Sequence, residues 1–423
     1  MSTGPRDRSA WSAEDAERYL LSLELFGMHF GLERMRRLMT ALGNPQLRFG
    51  SIHVVGTNGK TSTVRMIAAI LERHGVRTGA YLSPHLVHFC ERIMVGDADI
   101  SPGAFASAVQ RAARAAELVD SAARGEDRVT QFEALTAAAY SELAAREVEV
   151  AVVEAGLGGR YDATNVIPSK VQVLTSVGLE HTRWLGPTVA DIAREKLAVV
   201  QPGGILVLGS KLDPDADAEA RAVAERAGAR IVGAPADPGV PVGPLGAFQR
   251  RNFALARAAA EAYLGELDRA AVTMAAAEVQ VPGRLQIVGR EPLTLLDGAH
   301  NPAGMAALAE SLPEIAGERR IVAVVSILDD KDAAAMLATL LPSCDALIVT
   351  SSQNPRALPP PTLESLTRQI GGPPAEVVRD PRAALERGRT VAGTEGVVVA
   401  TGSIYLVADL LRTTPAKLRA SML

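Results

Sequence analysis

Cysteine is almost absent, with only Cys90 and Cys344 in 423 residues. That excludes a disulfide framework and points to a reducing compartment. Aromatic residues are scarce at 4%, so the core has to be built mainly from Ala, Leu and Val. No sign of charge dominates: 44 Lys and Arg against 48 Asp and Glu leave a net charge of −4. A nucleic-acid binder would carry a basic face, and none is available. The seven histidines are scattered, without HExxH or paired-cysteine zinc spacing. No run approaches the roughly 20 apolar residues of a membrane span, and MSTGPRDRSAWSAED at the start lacks the apolar stretch of a signal peptide. The expectation left standing is a soluble cytoplasmic α/β enzyme of two or three domains, at about 150 residues each. At 48% hydrophobic residues, the chain has enough apolar surface for a core.

Short apolar runs alternate with longer Ala/Leu/Arg stretches at helical period. The runs lie at 51–56, 148–154, 171–177, 204–208, 321–327, 346–350 and 396–400. Continuous apolar runs are what strands covered on both faces look like. Their alternation with helices predicts doubly wound parallel sheets. Ser12 with Asp15 reads as a capping box opening a first helix over 13–24. The Pro-, Gly- and Arg-rich segment 281–292 marks the expected boundary between a larger domain, 1–286, and a smaller one, 287–423. Residues 355–361 read as a stiff loop.

Residues 51–67, SIHVVGTNGKTSTVRMI, run from an apolar strand through a glycine-bounded turn into a helix. Backbone N–H groups at such a turn and helix start face phosphate oxygens, where the helix dipole also favours negative charge. Gly56 and Gly59 permit close approach, Lys60 adds positive charge, and Thr61 or Ser62 offers a hydroxyl to Mg²⁺. The spacing Gly56-x-x-Gly59-Lys60-Thr61 is shorter than the common GxxxxGK[ST]. An ordinary turn with an exposed Lys60 is the competing reading, and the strand before and helix after weigh against it.

Acids recur at predicted strand ends, where α/β sheets collect ligands. Glu154 ends one strand before a glycine-rich turn and suits Mg²⁺. His181 follows another strand end at GLEHT, open to a metal or phosphate role or to that of a loop histidine. Ser83-Pro84-His85 forms a further strand-end loop. Asp297 ends a strand at 294–296, and Pro302 suits the next helix start. Lys196, next to Glu195 on a predicted helix over 190–199, reads equally well as a solvated Lys–Glu face. The cluster 329–332, DDKD, reads as a helix start.

Together and in this order, the motifs resemble the folylpolyglutamate synthase/dihydrofolate synthase family of the Mur-ligase superfamily. The resemblance rests on FGMHFGLERMRRLMTALGNPQ (26–46), IHVVGTNGKTS (52–62), YLSPHLVHFCERI (81–93), TQFEALTAAA (130–139) and EAGLGGRYDATNV (154–166). It continues through GLEHTRWLGPTVADIAREK (178–196), PGRLQ (282–286), LDGAHNP (296–302), SILDDKD (326–332) and TGSIYLV (401–407). It implies a P-loop-containing doubly wound parallel-sheet ATPase domain followed by a smaller Rossmann-like α/β domain. The implied reaction joins L-glutamate to a folate or dihydropteroate carboxylate through an acyl phosphate, with ATP as co-substrate and two Mg²⁺ sites. Carried over by residue, Gly56, Thr57, Asn58, Gly59, Lys60, Thr61, Ser62, Asn252, Arg284 and Asp297 hold ATP. Thr61, Ser62, Ser83, Glu154 and His181 are implied metal ligands, and Lys60, His181 and a carbamylated Lys196 the catalytic groups. The implied folate pocket comprises Gly31, Leu32, Ser83, Pro84, His85, Gln131, Phe132, Gly159, Arg160, Tyr161 and Asp162.

Some positions depart from the family pattern: GKTS for GKGS at the phosphate loop, Glu180 for the commoner Asp, and Tyr161 for Leu or Trp. The last bears on substrate preference rather than reaction class. No nucleic-acid or membrane partner is expected, and the family is often monomeric. Two alternatives remain: a Mur-type ligase adding an amino acid to another carboxylate, and a P-loop NTPase switch that would not need the second domain.

Overall fold

The computed structural model describes residues 10–24, 31–122 and 128–412. Among these, the Val- and Ile-rich runs become the strands of two sheets. The first contains β1 (Gly50–Val55), β2 (Thr78–Tyr81), β3 (Ile93–Val95), β4 (Ala98–Asp99), β5 (Val150–Glu154), β6 (Val171–Leu174), β7 (Ile205–Leu208) and β8 (Arg230–Gly233). Their spatial order is β4-β3-β2-β5-β1-β6-β7-β8. The second holds β9 (Gln286–Arg290), β10 (Leu293–Leu296), β11 (Ile321–Val325), β12 (Ala346–Val349), β13 (Ala375–Val377) and β14 (Val397–Thr401), ordered β13-β12-β11-β14-β10-β9.

Parallel pairing dominates both sheets, as the apolar runs predict, but the edges differ. β3 and β4 form an antiparallel hairpin, and β9 pairs antiparallel with β10. Both connections are two residues long, too short for the crossover that a parallel pair requires. In the centre of the first sheet, Val54 stands opposite Glu154 on one side and Val173 on the other. The carboxyl ends of β1, β5 and β6 therefore open at one level, and the loops that follow them share one crevice.

The first helix, Ala13–Ser22, has the expected Ser12–Asp15 capping box. A second such box, Thr130 with Glu133, opens helix Gln131–Ala145. Asp332 caps helix Ala333–Leu340, matching the expected helix start. The proline-rich segment is shorter than expected as a loop, because helix Pro360–Gln369 begins inside it. Proline fits a helix's first turn, where its missing N–H has no partner to lose.

Scarce aromatics are placed deep: Phe105, Tyr140 and Phe253 are fully buried. Around them, Ala106, Ala112, Ala116, Ala134 and Ala138 let helices Pro102–Ala122 and Gln131–Ala145 approach closely over the first sheet. Helix Lys60–Arg73 packs on helix Ala247–Leu264 over the opposite face. The halves meet where helix Ala247–Leu264 faces helix Pro302–Ala316: Arg250 pairs with Glu314 at 2.7 Å and Arg251 with Glu310 at 2.8 Å. These ion pairs are solvent-exposed and set orientation more than stability. Phe253→Ala is therefore expected to cost about 3–5 kcal/mol, while a double-mutant cycle on Arg251 and Glu310 yields about 1 kcal/mol or less. Urea unfolding of these variants checks the ranking, and an ionic coupling larger than the core loss would reverse it.

Candidate active site

β1 ends at Val55, and residues 56–59 turn the chain into helix Lys60–Arg73. Gly56 has φ +149°, and a Cβ there would collide with Thr175 Oγ1. Gly59 has φ +87°, and a Cβ would lie 2.7 Å from Asn252 Oδ1. Only glycine fits either position, and the resulting turn aims backbone N–H groups of the helix start into the crevice. Lys60 Nζ donates to Gly56 O at 3.0 Å, and Lys196 Nζ donates to the same oxygen at 2.9 Å. Two ammonium groups thus converge on one carbonyl, with Glu180 Oε1 2.8 Å from Lys196 Nζ. Burial pushes the Glu180 carboxyl upward, but Lys196 and Lys60 outweigh it and hold it at about 2. Burial lowers the Lys196 ammonium from its ordinary value, against the opposing pull of Glu180. Lys196 is 2% exposed, so it is not part of a solvated face; Glu195 pairs instead with Arg160.

Glu154 ends β5 almost wholly buried. Its Oε1 accepts from Thr61 Oγ1 at 2.9 Å and its Oε2 from Ser83 N at 3.1 Å. Burial raises its pKa, against Lys60, these two donors and Arg284. His181 has φ +46° and begins helix Thr182–Leu185; its side chain stays open to solvent, and partial desolvation lowers its pKa against the opposing pull of Glu180. Among the described residues no cluster of three or more His, Cys, Asp or Glu side chains forms a metal cage. Glu154 with the hydroxyls of Thr61, Ser62 and Ser83 nevertheless supplies hard oxygen donors beside a phosphate loop. This donor set fits Mg²⁺, which takes one or two carboxylates and completes its shell with water and phosphate oxygens.

The second sheet contributes the opposite wall. Asp297, at the end of β10, is buried and accepts from Leu285 N at 2.9 Å and Ala299 N at 2.8 Å. Burial raises its pKa, with Arg284 the principal opposing charge. His300 Nδ1 donates to Gly298 O at 2.8 Å, and burial lowers its pKa to about 4. Asn58 of the phosphate loop and Asn301, the cap of helix Pro302–Ala316, exchange amide hydrogen bonds at 3.1 and 3.0 Å. Asn58, Thr61, Ser83, Glu154, Glu180, His181, Arg284, Asp297 and His300 line one cavity of about 1370 Å³, together with Thr57, Gly59, Lys60, Ser62, Asn252 and Lys331.

The same cavity extends over Gly31, Pro84, Phe132, Glu133, Tyr161 and Asp162. Here Arg34 Nε donates to Glu133 Oε2 at 2.7 Å in a buried pair. Several other sequence candidates point elsewhere. Gln131 Nε2 donates to Leu20 O at 2.9 Å, Arg160 reaches Glu195, and Gly159 packs under Lys196 O. His85 packs half-buried against Phe89 and accepts from Arg92 Nε at 3.0 Å. Gly56, Leu32, Gln131, Gly159, Arg160, His85 and Lys196 are not among the residues that line the cavity. Residues 26–30 of the first motif lie outside the described residues.

Sequence reasoning missed Arg34, Trp184, Lys331 and Arg356, which also line the cavity. Glu133 lies in the segment 130–133, which the family resemblance already implies for the folate pocket, and it lines the cavity. Lys331 had no separable signal, because a helix-start charge cluster looks the same when solvated.

A match to the Mur ligase middle domain covers residues 54–234, and one to the Mur ligase glutamate ligase domain covers 283–404. A Mycobacterium tuberculosis dihydrofolate synthase/folylpolyglutamate synthase is 36% identical over 393 residues, spanning 82% of this chain and 80% of that protein. The structure of the M. tuberculosis folylpolyglutamate synthase complexed with ADP superposes with a TM-score of 0.87 at 32% identity, covering 95% of this chain and 97% of that one. A bifunctional folylpolyglutamate synthase/dihydrofolate synthase with Mn, AMPPNP and L-glutamate bound gives 0.83 at 29% identity, covering 97% and 99%. The chain belongs to the folylpolyglutamate synthase/dihydrofolate synthase family of Mur-type ligases and is an ATP-dependent ligase.

Proposed function

We propose that the protein joins L-glutamate to the carboxylate of a folate, dihydropteroate or a tetrahydrofolyl-glutamate, with ATP as the energy source. The observation that carries this reading is the single cavity into which the phosphate loop, the Glu154 cluster, the Phe132–Glu133 wall and second-sheet residues all open. A nucleotide switch would not need Asp297, Lys331 and Arg356 there.

In the proposed reaction a substrate carboxylate oxygen attacks the γ-phosphorus, and the bond to ADP breaks. The neutral amine of glutamate then attacks the acyl carbon, phosphate departs, and the nitrogen sheds a proton. Such transfers depend chiefly on positioning and charge neutralisation. Residues 56–62 hold the phosphates through backbone N–H groups and Lys60, with Asn252, Arg284 and Asp297 completing the nucleotide site. Thr61 or Ser62 beside the phosphates, together with Glu154, His181 and Ser83, would hold two divalent cations. Bound there, the cations would offset the triphosphate's negative charge. Gly31, Phe132, Tyr161 and their neighbours take the pterin or pteroate portion. Lys331 and Arg356 supply positive charge where the carboxylates of glutamate must sit. We also propose that Lys196 is carbamylated, since burial favours the neutral amine that this modification needs.

The functional division proposed is 1–286 for nucleotide and folate and 287–423 for glutamate ligation. It is supported by β9, which begins at Gln286 and opens the second sheet. Both walls of the cavity come from one chain, which supports a monomeric enzyme. ATP and folates as co-substrates support a cytoplasmic one; no helix among the described residues is long and apolar enough to cross a membrane.

With ATP, Mg²⁺ and glutamate, phosphate release is expected to require dihydropteroate or tetrahydrofolate. Release independent of glutamate would overturn the reading. Lys60→Ala and Glu154→Gln are each expected to lower kcat by about a hundredfold or more, as loss of a transition-state charge partner does. Steady-state kinetics under saturating ATP check this. Lys196→Ala should lose most activity and regain part of it with added small carboxylates; unchanged activity would leave Lys196 only its ion pair with Glu180.

A further inference from the structure

His53 sits on β1 three residues before Gly56, wholly buried, and no proposed chemical step uses it. Its Nε2 lies 2.8 Å from Thr164 Oγ1, and Thr164 Oγ1 in turn contacts Asp162 Oδ1. Asp162 Oδ1 also accepts from Thr164 N at 3.0 Å, and its Oδ2 accepts from Leu157 N at 2.8 Å. A hydroxyl has one hydrogen, and a carboxylate only accepts. Burial pushes the Asp162 pKa up, but backbone N–H groups on both of its oxygens favour the ionised form. With Asp162 ionised the Thr164 hydrogen goes to it, and His53 donates from Nε2. That leaves Nδ1 bare, and it has no hydrogen-bond partner among the described residues. Burial holds the ring's pKa at about 3, so it stays neutral and keeps this polarity.

We propose that His53 is a positioning residue for the carboxylate substrate, acting through Thr164 and Asp162 to fix the wall of the cavity formed by residues 156–163. This wall contributes Gly156, Leu157, Tyr161, Asp162 and Ala163 to the cavity. Gly156 packs so closely on Phe132 that a Cβ would lie 2.5 Å from the ring. A shift of the loop therefore changes the gap in which a pterin or aminobenzoyl ring must lie. The relay also ties this wall to the strand that carries the phosphate loop. An apolar side chain would fill the same core position without leaving a buried ring nitrogen unpartnered, and such an atom is costly. Retaining the histidine makes sense where a directed hydrogen bond sets loop geometry.

The inference rests on the folate-ligase reading, and the experiment separates the two. Steady-state kinetics with dihydropteroate and with ATP are measured for wild type, His53→Leu, His53→Gln and Thr164→Val. Expected are about tenfold increases in the dihydropteroate KM for His53→Leu and Thr164→Val, with the ATP KM within about twofold. His53→Gln, whose amide donates from a similar position, returns the KM to near the wild-type value. Nitrogen NMR of the wild-type imidazole reads the tautomer without any turnover, and a proton on Nε2 is expected at neutral pH. A proton on Nδ1, an unchanged dihydropteroate KM, or equal behaviour of the Gln and Leu variants would overturn the relay. A wild-type protein without glutamate-dependent turnover would instead overturn the ligase reading, and the NMR result would still decide the relay's polarity.

Discussion

Glu154 is 1% exposed at the end of a central strand, so bulk water contributes little to holding its charge. A hydroxyl from Thr61 and a backbone N–H from Ser83 supply its hydrogen bonds, while Lys60 and Arg284 supply opposing charge. The neighbouring charges follow from this arrangement. Lys60 and Lys196 crowd onto the Gly56 carbonyl, and that pairing is tolerable because Glu180 stands beside them. On the far wall Arg284 opposes Asp297. Acids and bases are thus interleaved at short range within one buried crevice. The near-neutral composition agrees with a site that meets anionic reactants with a few placed groups rather than with a basic surface.

The crevice depends on both sheets. Strand ends of β1, β5 and β6 deliver the phosphate loop and Glu154 at one level, as parallel strands with aligned register must. The second sheet delivers Asp297 and the loop to Asn301 from the end of β10. Asn58 and Asn301 join the halves at the phosphate loop itself, and exposed ion pairs between helices Ala247–Leu264 and Pro302–Ala316 orient them farther out. A reciprocal amide pair is short-ranged and directional. Small changes in the angle between the halves are therefore felt first at the glycine-bounded turn that precedes helix Lys60–Arg73.

Much of this was legible in the sequence, for identifiable reasons. Continuous apolar runs gave the parallel strands because burial on both faces leaves no room for polar alternation. The strand–glycine–lysine–helix order marked the tight turn at 56–59, because backbone geometry there admits only glycine at two positions. The edge hairpin β3–β4 and antiparallel β9 were not read, since β3 is only three residues long and β4 and β9 are largely exposed, so none carries a sustained apolar run. Lys196 was equally balanced between a solvated face and a site. Its partner proved to be Glu180, sixteen positions away in sequence, rather than adjacent Glu195. Arg34 with Glu133 was missed for the same reason: a buried pair 99 residues apart leaves no local pattern.

The central claim is that this cavity activates a folate carboxylate by forming a bond from its oxygen to the γ-phosphorus of ATP. Dihydropteroate labelled with heavy oxygen in its carboxylate, turned over with ATP, Mg²⁺ and glutamate, tests this directly by mass analysis of the released phosphate. The account predicts one labelled oxygen in each phosphate released. Phosphate carrying no label, with glutamate still consumed, would contradict it.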